Sequence, residues 1–167
     1  MQVREVLRKN GFRFEKRYGQ NFLTDENLLS ALVDKTGVGE NDTVVEIGVG
    51  AGTLTSALSK KVKRVIGFEI DKKLQPVLAE TLKDAKNVEI VYKDVMKIPT
   101  AEIENIAGGR FSIVANLPYY ITTPILMKFL EESDKVDLIA VTVQEEVADR
   151  ICAKPSSADY GALTLAV

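Results

Sequence analysis

A chain of 167 residues with 46% hydrophobic and 28% charged residues reads as one globular domain that buries roughly two thirds of its unfolded surface. Histidine is absent and Cys152 is the only cysteine, which excludes Ser-His-Asp and Cys-His machinery, an intrachain disulfide and the usual zinc or CxxC sites. The net charge of −2 does not by itself point to nucleic acid. No apolar run approaches the roughly 20 residues of a membrane span, and the N-terminus carries no signal-peptide core, so a cytosolic setting and no metal are expected.

Residues 1–18 are locally basic, with Arg4, Arg8, Lys9, Arg13, Lys16 and Arg17 interleaved by Phe12, Phe14 and Tyr18. Cations beside aromatic rings suit phosphates and stacked bases, although a solvated helix and arm would read the same way. Residues 1–20 are therefore taken as a basic arm and 21–167 as the domain proper. Gly19-Gln20-Asn21-Phe22-Leu23 breaks the pattern. Gln20 and Asn21 suit either turn hydrogen bonds or a cofactor. Thr24 or Asp25 caps a helix over about 26–36, with Leu28, Leu29, Leu32 and Val33 on its apolar face.

Thr43–Ile47 is the first strand, followed by the turn Gly48-Val49-Gly50-Ala51-Gly52 and a helix over 53–60. Such a turn lets backbone approach a ligand and aims helix N–H groups at it. The spacing is GxGxG, not the GxGxxG of the dinucleotide fingerprint, and no GK[ST] follows. The second strand, 64–68, ends at Glu69-Ile70-Asp71, with Glu69 lying 17 residues after Gly52. Doubly wound folds place a ribose-binding acid near there. Asp71 is the better cap for a helix over 72–84, which leaves Glu69 for a ligand. The third strand, 88–92, ends at Lys93-Asp94-Val95, where Asp94 suits an adenine amine or a surface turn.

A helix over 100–107, closed by Gly108-Gly109, precedes a strand at 111–115 that delivers Asn116-Leu117-Pro118-Tyr119 to its C-terminal end. Asn116 Oδ1 and the Pro118 carbonyl are expected as two acceptors for an exocyclic amine, and Tyr119 as a stacking surface. An ordinary Asn-Pro turn would look similar. Thr122 is expected to cap a helix over 123–132 with Ile125, Leu126, Phe129 and Leu130 inward. A strand at 137–143, a helix at 145–153 and a sixth strand at 162–167 complete the reading. Alternating strands and helices imply a mostly parallel α/β sheet with right-handed crossovers and helices on both faces.

In this order, Gln20-Asn21-Phe22-Leu23, Glu46 to Gly52, Glu69-Ile70-Asp71, Asp94 and Asn116-Leu117-Pro118-Tyr119 resemble the motifs of S-adenosylmethionine-dependent rRNA adenine N6-dimethyltransferases. Gln144 to Ile151, Ala153-Lys154-Pro155 and Tyr160-Gly161 resemble the bacterial branch that acts on small-subunit rRNA, not the resistance enzymes acting on the large subunit. The resemblance implies a Rossmann-like methyltransferase fold. It implies that Asn21 and Leu23 close over S-adenosylmethionine, Gly48 approaches its methionine part, Glu69 holds the ribose and Asp94 binds the adenine amine. Gln20, Glu46, Gly50, Ile70 and Val95 complete that cofactor set. Asn116 would touch both cofactor and target base, with Pro118 and Tyr119 catalytic beside it.

The implied activity is dimethylation of two adjacent adenines near the 3′ end of small-subunit rRNA. The partner would be the immature 30S subunit, and the protein a monomer. The family continues into a seventh strand, a further proline-rich motif and a helical C-terminal domain, so a truncated catalytic domain is expected. Three other readings share features with this one: a DNA adenine methyltransferase, a non-catalytic RNA-binding assembly factor on the same fold, and a nicotinamide dehydrogenase. The GxGxG spacing and the missing histidine make the last remote.

Overall fold

The apolar runs Thr43–Ile47 (β1), Arg64–Phe68 (β2), Val88–Val91 (β3), Phe111–Asn116 (β4) and Val136–Thr142 (β5) form one sheet in the order β3-β2-β1-β4-β5. Every neighbouring pair is parallel. The structure is a computed structural model and describes residues 3–11 and 25–167, without the side chains of Arg4 and Tyr119. Eight α-helices are found among the described residues: α1 (Val3–Lys9), α2 (Glu26–Thr36), α3 (Thr53–Ser59), α4 (Gln75–Thr81), α5 (Thr100–Ala107), α6 (Thr122–Glu132), α7 (Glu145–Ile151) and α8 (Ala162–Ala166).

Strands buried on both faces need apolar residues at both alternating positions. Val45, Ile47, Ile66, Phe68, Phe111 and Ile113 pack one face against Ile103 of α5 and Ile125 and Phe129 of α6. Phe111 and Phe129 meet edge to face at 6.4 Å, the arrangement that ring quadrupoles favour. Val44, Val65 and Val114 pack the opposite face against Leu29 and Val33 of α2 and Leu54 and Leu58 of α3. Glu46 is the exception among the buried residues of β1, an acid only 1% exposed between Val45 and Ile47. The helix α1 docks through the buried Val6 and Leu7 onto Leu74, Val77 and Leu78 around α4.

From β1 the chain builds outward through β2 and β3, then returns to the other side of β1 as β4. The order therefore reverses between β1 and β4, and open α/β sheets open their ligand crevice at such a point, beyond the carboxyl ends of the strands. The glycine turn after β1 and the Asn-Leu-Pro-Tyr turn after β4 flank that point.

Asp25 caps α2 as expected, its side chain accepting from Asn27 and Leu28 N–H at 2.9 and 3.1 Å. Leu28, expected on the apolar face, is 46% exposed. Four further expectations are corrected. The helix over 72–84 is a 3-10 turn at Lys72–Leu74 followed by α4, because Pro76 lacks the N–H that would have continued an α-helix from 72. The helix over 145–153 stops at Ile151. Thr122 is the first residue of α6 and not its cap, since its hydroxyl bonds back to the Pro118 carbonyl.

The sixth strand is the helix α8. Ala and Leu are strong helix formers, and a strand would have placed Leu163 and Leu165 on one face. Instead Leu163 is 2% exposed against Leu126 and Val147, while Leu165 is 71% exposed. Thr164 holds the helix start by accepting from Gly161 N–H at 3.3 Å and donating to the Arg150 carbonyl at 2.6 Å.

Candidate functional site

The glycine turn owes its shape to backbone that only glycine adopts without strain. Gly48, Gly50 and Gly52 have φ of +77°, +58° and +82°. A side chain at Gly52 would strike Leu78 Cδ2 at 2.9 Å, whereas one at Gly48 would meet nothing within 4 Å. Gly52 is thus glycine for packing, and Gly48 for its conformation and the open space beyond it. The turn is anchored from below by Gly48 N–H, which donates to the Phe68 carbonyl at 2.8 Å.

Glu69 fastens the turn from the side. Its Oε2 accepts from Gly50 N–H at 2.7 Å and its Oε1 from Asp71 N–H at 2.8 Å. Asp71 is the cap of the following turn, accepting from Lys73 N–H. A carboxylate offers about four lone-pair positions, so two such bonds leave Glu69 the capacity for a diol. Burial raises its pKa above the ordinary carboxylate value, against the backbone N–H bonds from Asp71 and Gly50 that lower it.

Glu46 lies below the same turn. Burial first, then the charge of Glu69, pushes its carboxyl up to about 8. Its Oε2 has no hydrogen-bond partner, nor does Thr55 Oγ1, so the two groups do not meet in hydrogen-bond geometry. A buried acceptor of this kind is costly unless a ligand satisfies it.

Asp94 ends β3 and caps a short 3-10 turn, accepting from Met96 N–H at 3.1 Å and lying 3.4 Å from Lys97 Nζ. Beside it Val95 is buried, and Ile70, 47% exposed, lines the same cleft.

Asn116 is the last residue of β4 and pairs in register with Thr142 at the end of β5. The Thr142 hydroxyl donates to Asn116 Oδ1 at 2.5 Å. Thr142 was not singled out in the sequence. Only the register of two strands 26 residues apart reveals it. The Pro118 carbonyl, expected to be left as a bare acceptor, already accepts from Ile121 N–H at 3.1 Å and the Thr122 hydroxyl at 3.3 Å. The 3-10 turn at Tyr119–Ile121 closes directly on it and supplies the first of these donors.

Glu46, Gly48, Gly50, Glu69, Ile70, Asp94, Val95, Asn116 and Pro118 all line one cleft of about 270 Å³. The side chain of Tyr119 lies outside the described residues, and Tyr120, 64% exposed, stands at the rim. Gln20, Asn21 and Leu23 also lie outside the described residues, as do Arg13, Lys16 and Arg17 and the side chain of Arg4. Of the remaining basic residues, Arg8 is exposed and Lys9 bonds Glu80 of α4 at 2.9 Å. A larger concavity of about 1210 Å³ lies among α1 to α4 and is lined by charged residues such as Asp34, Lys60 and Glu80. It contains none of the strand-end residues named above. Among the described residues no helix is long and apolar enough to cross a membrane.

The cleft brings together two acidic side chains beside a glycine turn, the apolar Ile70 and Val95 with Asp94, and the Asn116 carboxamide. It can hold a nucleoside with a cationic tail and present an amine to it. Residues 11–167 match the family model described as ribosomal RNA adenine dimethylase. The chain is 47% identical over 173 residues to ribosomal RNA small subunit methyltransferase A of Bacillus licheniformis, covering all of this chain and 58% of that protein. It is 46% identical over 167 residues to the protein of the same name from Clostridioides difficile, covering 99% of this chain and 58% of that one.

Among solved structures, a dimethyladenosine transferase from Plasmodium falciparum superposes with a TM-score of 0.74 at 27% identity, covering 88% of this chain and 52% of that one. The 23S rRNA methyltransferase ErmE superposes at 0.68 with 28% identity, covering 84% of this chain and 53% of that one. The chain spans 58% of the length of the curated relatives first named. The chain belongs to the ribosomal RNA adenine dimethylase family.

Proposed function

We propose that this chain carries the catalytic domain of an S-adenosylmethionine-dependent enzyme that dimethylates N6 of two adjacent adenines near the 3′ end of small-subunit rRNA. It would act in the cytoplasm as a monomer on the immature 30S subunit. The observation that carries the reading is the convergence of the ends of β1, β2, β3 and β4 on one cleft. The curated relatives named above favour small-subunit rRNA over DNA or the large subunit. Residues 1–20 would supply an RNA-binding arm, through Arg4, Arg8, Arg13, Lys16 and Arg17 with Lys9, and residues 21–167 the cofactor domain.

The residues present fit the cofactor. Glu46 Oε2 is a buried acceptor without a partner, suited to a cationic α-amino group. Gly48 leaves open space where a side chain would stand. Glu69 keeps lone pairs for two ribose hydroxyls, and Ile70, Asp94 and Val95 suit the adenine ring. Gln20, Asn21 and Leu23 would cover it.

When bound, S-adenosylmethionine supplies an electrophilic sulfonium methyl. The rest is positioning by the protein. An adenine amine is a weak nucleophile because its lone pair is delocalised into the ring. Asn116 Oδ1 accepts one amine hydrogen and favours a pyramidal nitrogen with its lone pair exposed. The Pro118 carbonyl takes the other only if the Thr122 hydroxyl, held at 3.3 Å, gives way. Tyr119 would stack on the base, which must be unpaired or flipped out. No histidine is required, because the amine becomes acidic as it gains the methyl. Orientation of this kind supplies most of the acceleration.

The test is transfer of labelled methyl groups to unmethylated small subunits, with large-subunit RNA and duplex DNA as parallel substrates. Recovery of N6,N6-dimethyladenosine from the small subunit alone is expected. Label in DNA only would overturn the substrate, and none anywhere the activity.

A further inference from the structure

We infer that Thr142 is a positioning residue for methyl transfer, holding the Asn116 carboxamide in its working orientation through the side-chain hydrogen bond across the β4–β5 ladder. The inference rests on the proposed methyltransferase reading. The carboxamide of asparagine turns about an sp³–sp² bond, whose torsional preference is broad. A strand terminus alone therefore lets Oδ1 and Nδ2 exchange places. An amine needs the oxygen. With Nδ2 in that place, two donors would face each other.

The structure supplies the missing restraint. Asn116 and Thr142 are paired in register, which puts their side chains on the same side of neighbouring strands. The hydroxyl donates to Oδ1 at 2.5 Å, and a carbonyl oxygen has two lone-pair positions. Four residue pairs from Ser112↔Leu138 to Ala115↔Val141 lead without a break to Asn116↔Thr142, so the distance is set by the ladder. Thr142 is half-buried and β-branched, so its own χ1 is restricted. The hydroxyl thus acts through Asn116 and does not itself belong to the lining of the cleft.

The experiment compares wild type, Thr142→Val and Thr142→Ser. Valine keeps the branched shape and removes the donor, and serine keeps the donor and removes the methyl. Three readouts are taken: S-adenosylmethionine affinity by calorimetry, single-turnover methyl transfer to unmethylated small subunits, and the Asn116 side-chain amide signal in a ¹H–¹⁵N spectrum. That signal is assigned by its loss in Asn116→Ala.

Thr142→Val is expected to slow transfer about 10- to 100-fold, the range of a small misplacement of a catalytic group, with cofactor affinity reduced far less than the rate and the Asn116 signal displaced. Thr142→Ser is expected to restore both rate and signal. Transfer by Thr142→Val at the wild-type rate would overturn the inference. So would a serine variant as slow as the valine one, because shape and not the hydroxyl would then matter. A wild type that neither binds the cofactor nor transfers methyl groups would overturn the methyltransferase reading, and this inference with it.

Discussion

Glu69 Oε2 accepts the Gly50 N–H at 2.7 Å, so the acid that ends β2 holds the glycine turn that follows β1. The same carboxylate takes Asp71 N–H through its other oxygen. Position 69 is thus both a brace of the apo fold and the group that would receive a ribose. The two roles are compatible because the backbone donors fix the carboxylate before any ligand arrives.

Gly48 and Gly52 should fail in different ways. Gly52→Ala adds a methyl that strikes Leu78 and Leu82 as well as a strained φ of +82°, and should cost about 2–3 kcal/mol of stability. Gly48→Ala meets no neighbour and should cost only the backbone strain, about 1–2 kcal/mol, while weakening cofactor binding. Denaturant melts beside calorimetry would check the pair. Equal losses of stability with equal affinity would contradict the distinction.

Glu46 makes stability and binding respond to pH in opposite directions. Its folded pKa, about 8, lies above the ordinary carboxylate value of 4.5. The folded state therefore binds the proton more tightly than the unfolded one. This contribution is full below pH 4.5, falls as pH rises and levels off above about 8. Glu46→Gln should remove the trend and raise the melting temperature at pH 8 by about 5 °C or more.

A cationic ligand group needs Glu46 ionised, so S-adenosylmethionine affinity should improve between pH 6 and pH 8 by up to about tenfold per unit. Binding at pH 7 should release a proton, seen as a dependence of the calorimetric heat on buffer ionisation enthalpy. No dependence on buffer would rule out the ionic role. Glu69 is also raised by burial, so the Glu46→Gln variant is the control that assigns the proton.

Asn116→Ala removes the acceptor at the end of β4 and should slow transfer at least about 100-fold, leaving the fold and the melting temperature nearly unchanged. A half-buried side chain at a strand terminus carries little of the core. Near-normal turnover in this variant would refute the role given to Asn116.

The alternation of strands and helices from 43 to 151 was legible because a buried parallel sheet demands unbroken apolar runs, and glycine, proline and capping residues punctuate them. The strand-end residues singled out in the sequence line one cleft, because parallel strands bring their carboxyl ends to one edge of the sheet. What was hidden depends on contacts between distant segments. Ala162–Ala166 has an alternating pattern that suits a strand, and only packing of Leu163 against Leu126 and Val147 shows it to be helical. The carbonyl of Pro118 reads as a bare acceptor in sequence, yet the turn that follows folds back onto it. Thr142 carries no motif and becomes visible only through its register with Asn116.

The most direct test of the central claim is a calorimetric titration with S-adenosylmethionine, comparing wild type with Glu69→Ala, each first shown to be folded. Removing a charged acceptor from two hydroxyls should weaken binding about tenfold or more. Wild-type binding that Glu69→Ala reduces in this way is the expected result. A folded wild type that binds no S-adenosylmethionine, or a Glu69→Ala variant of unchanged affinity, would contradict it.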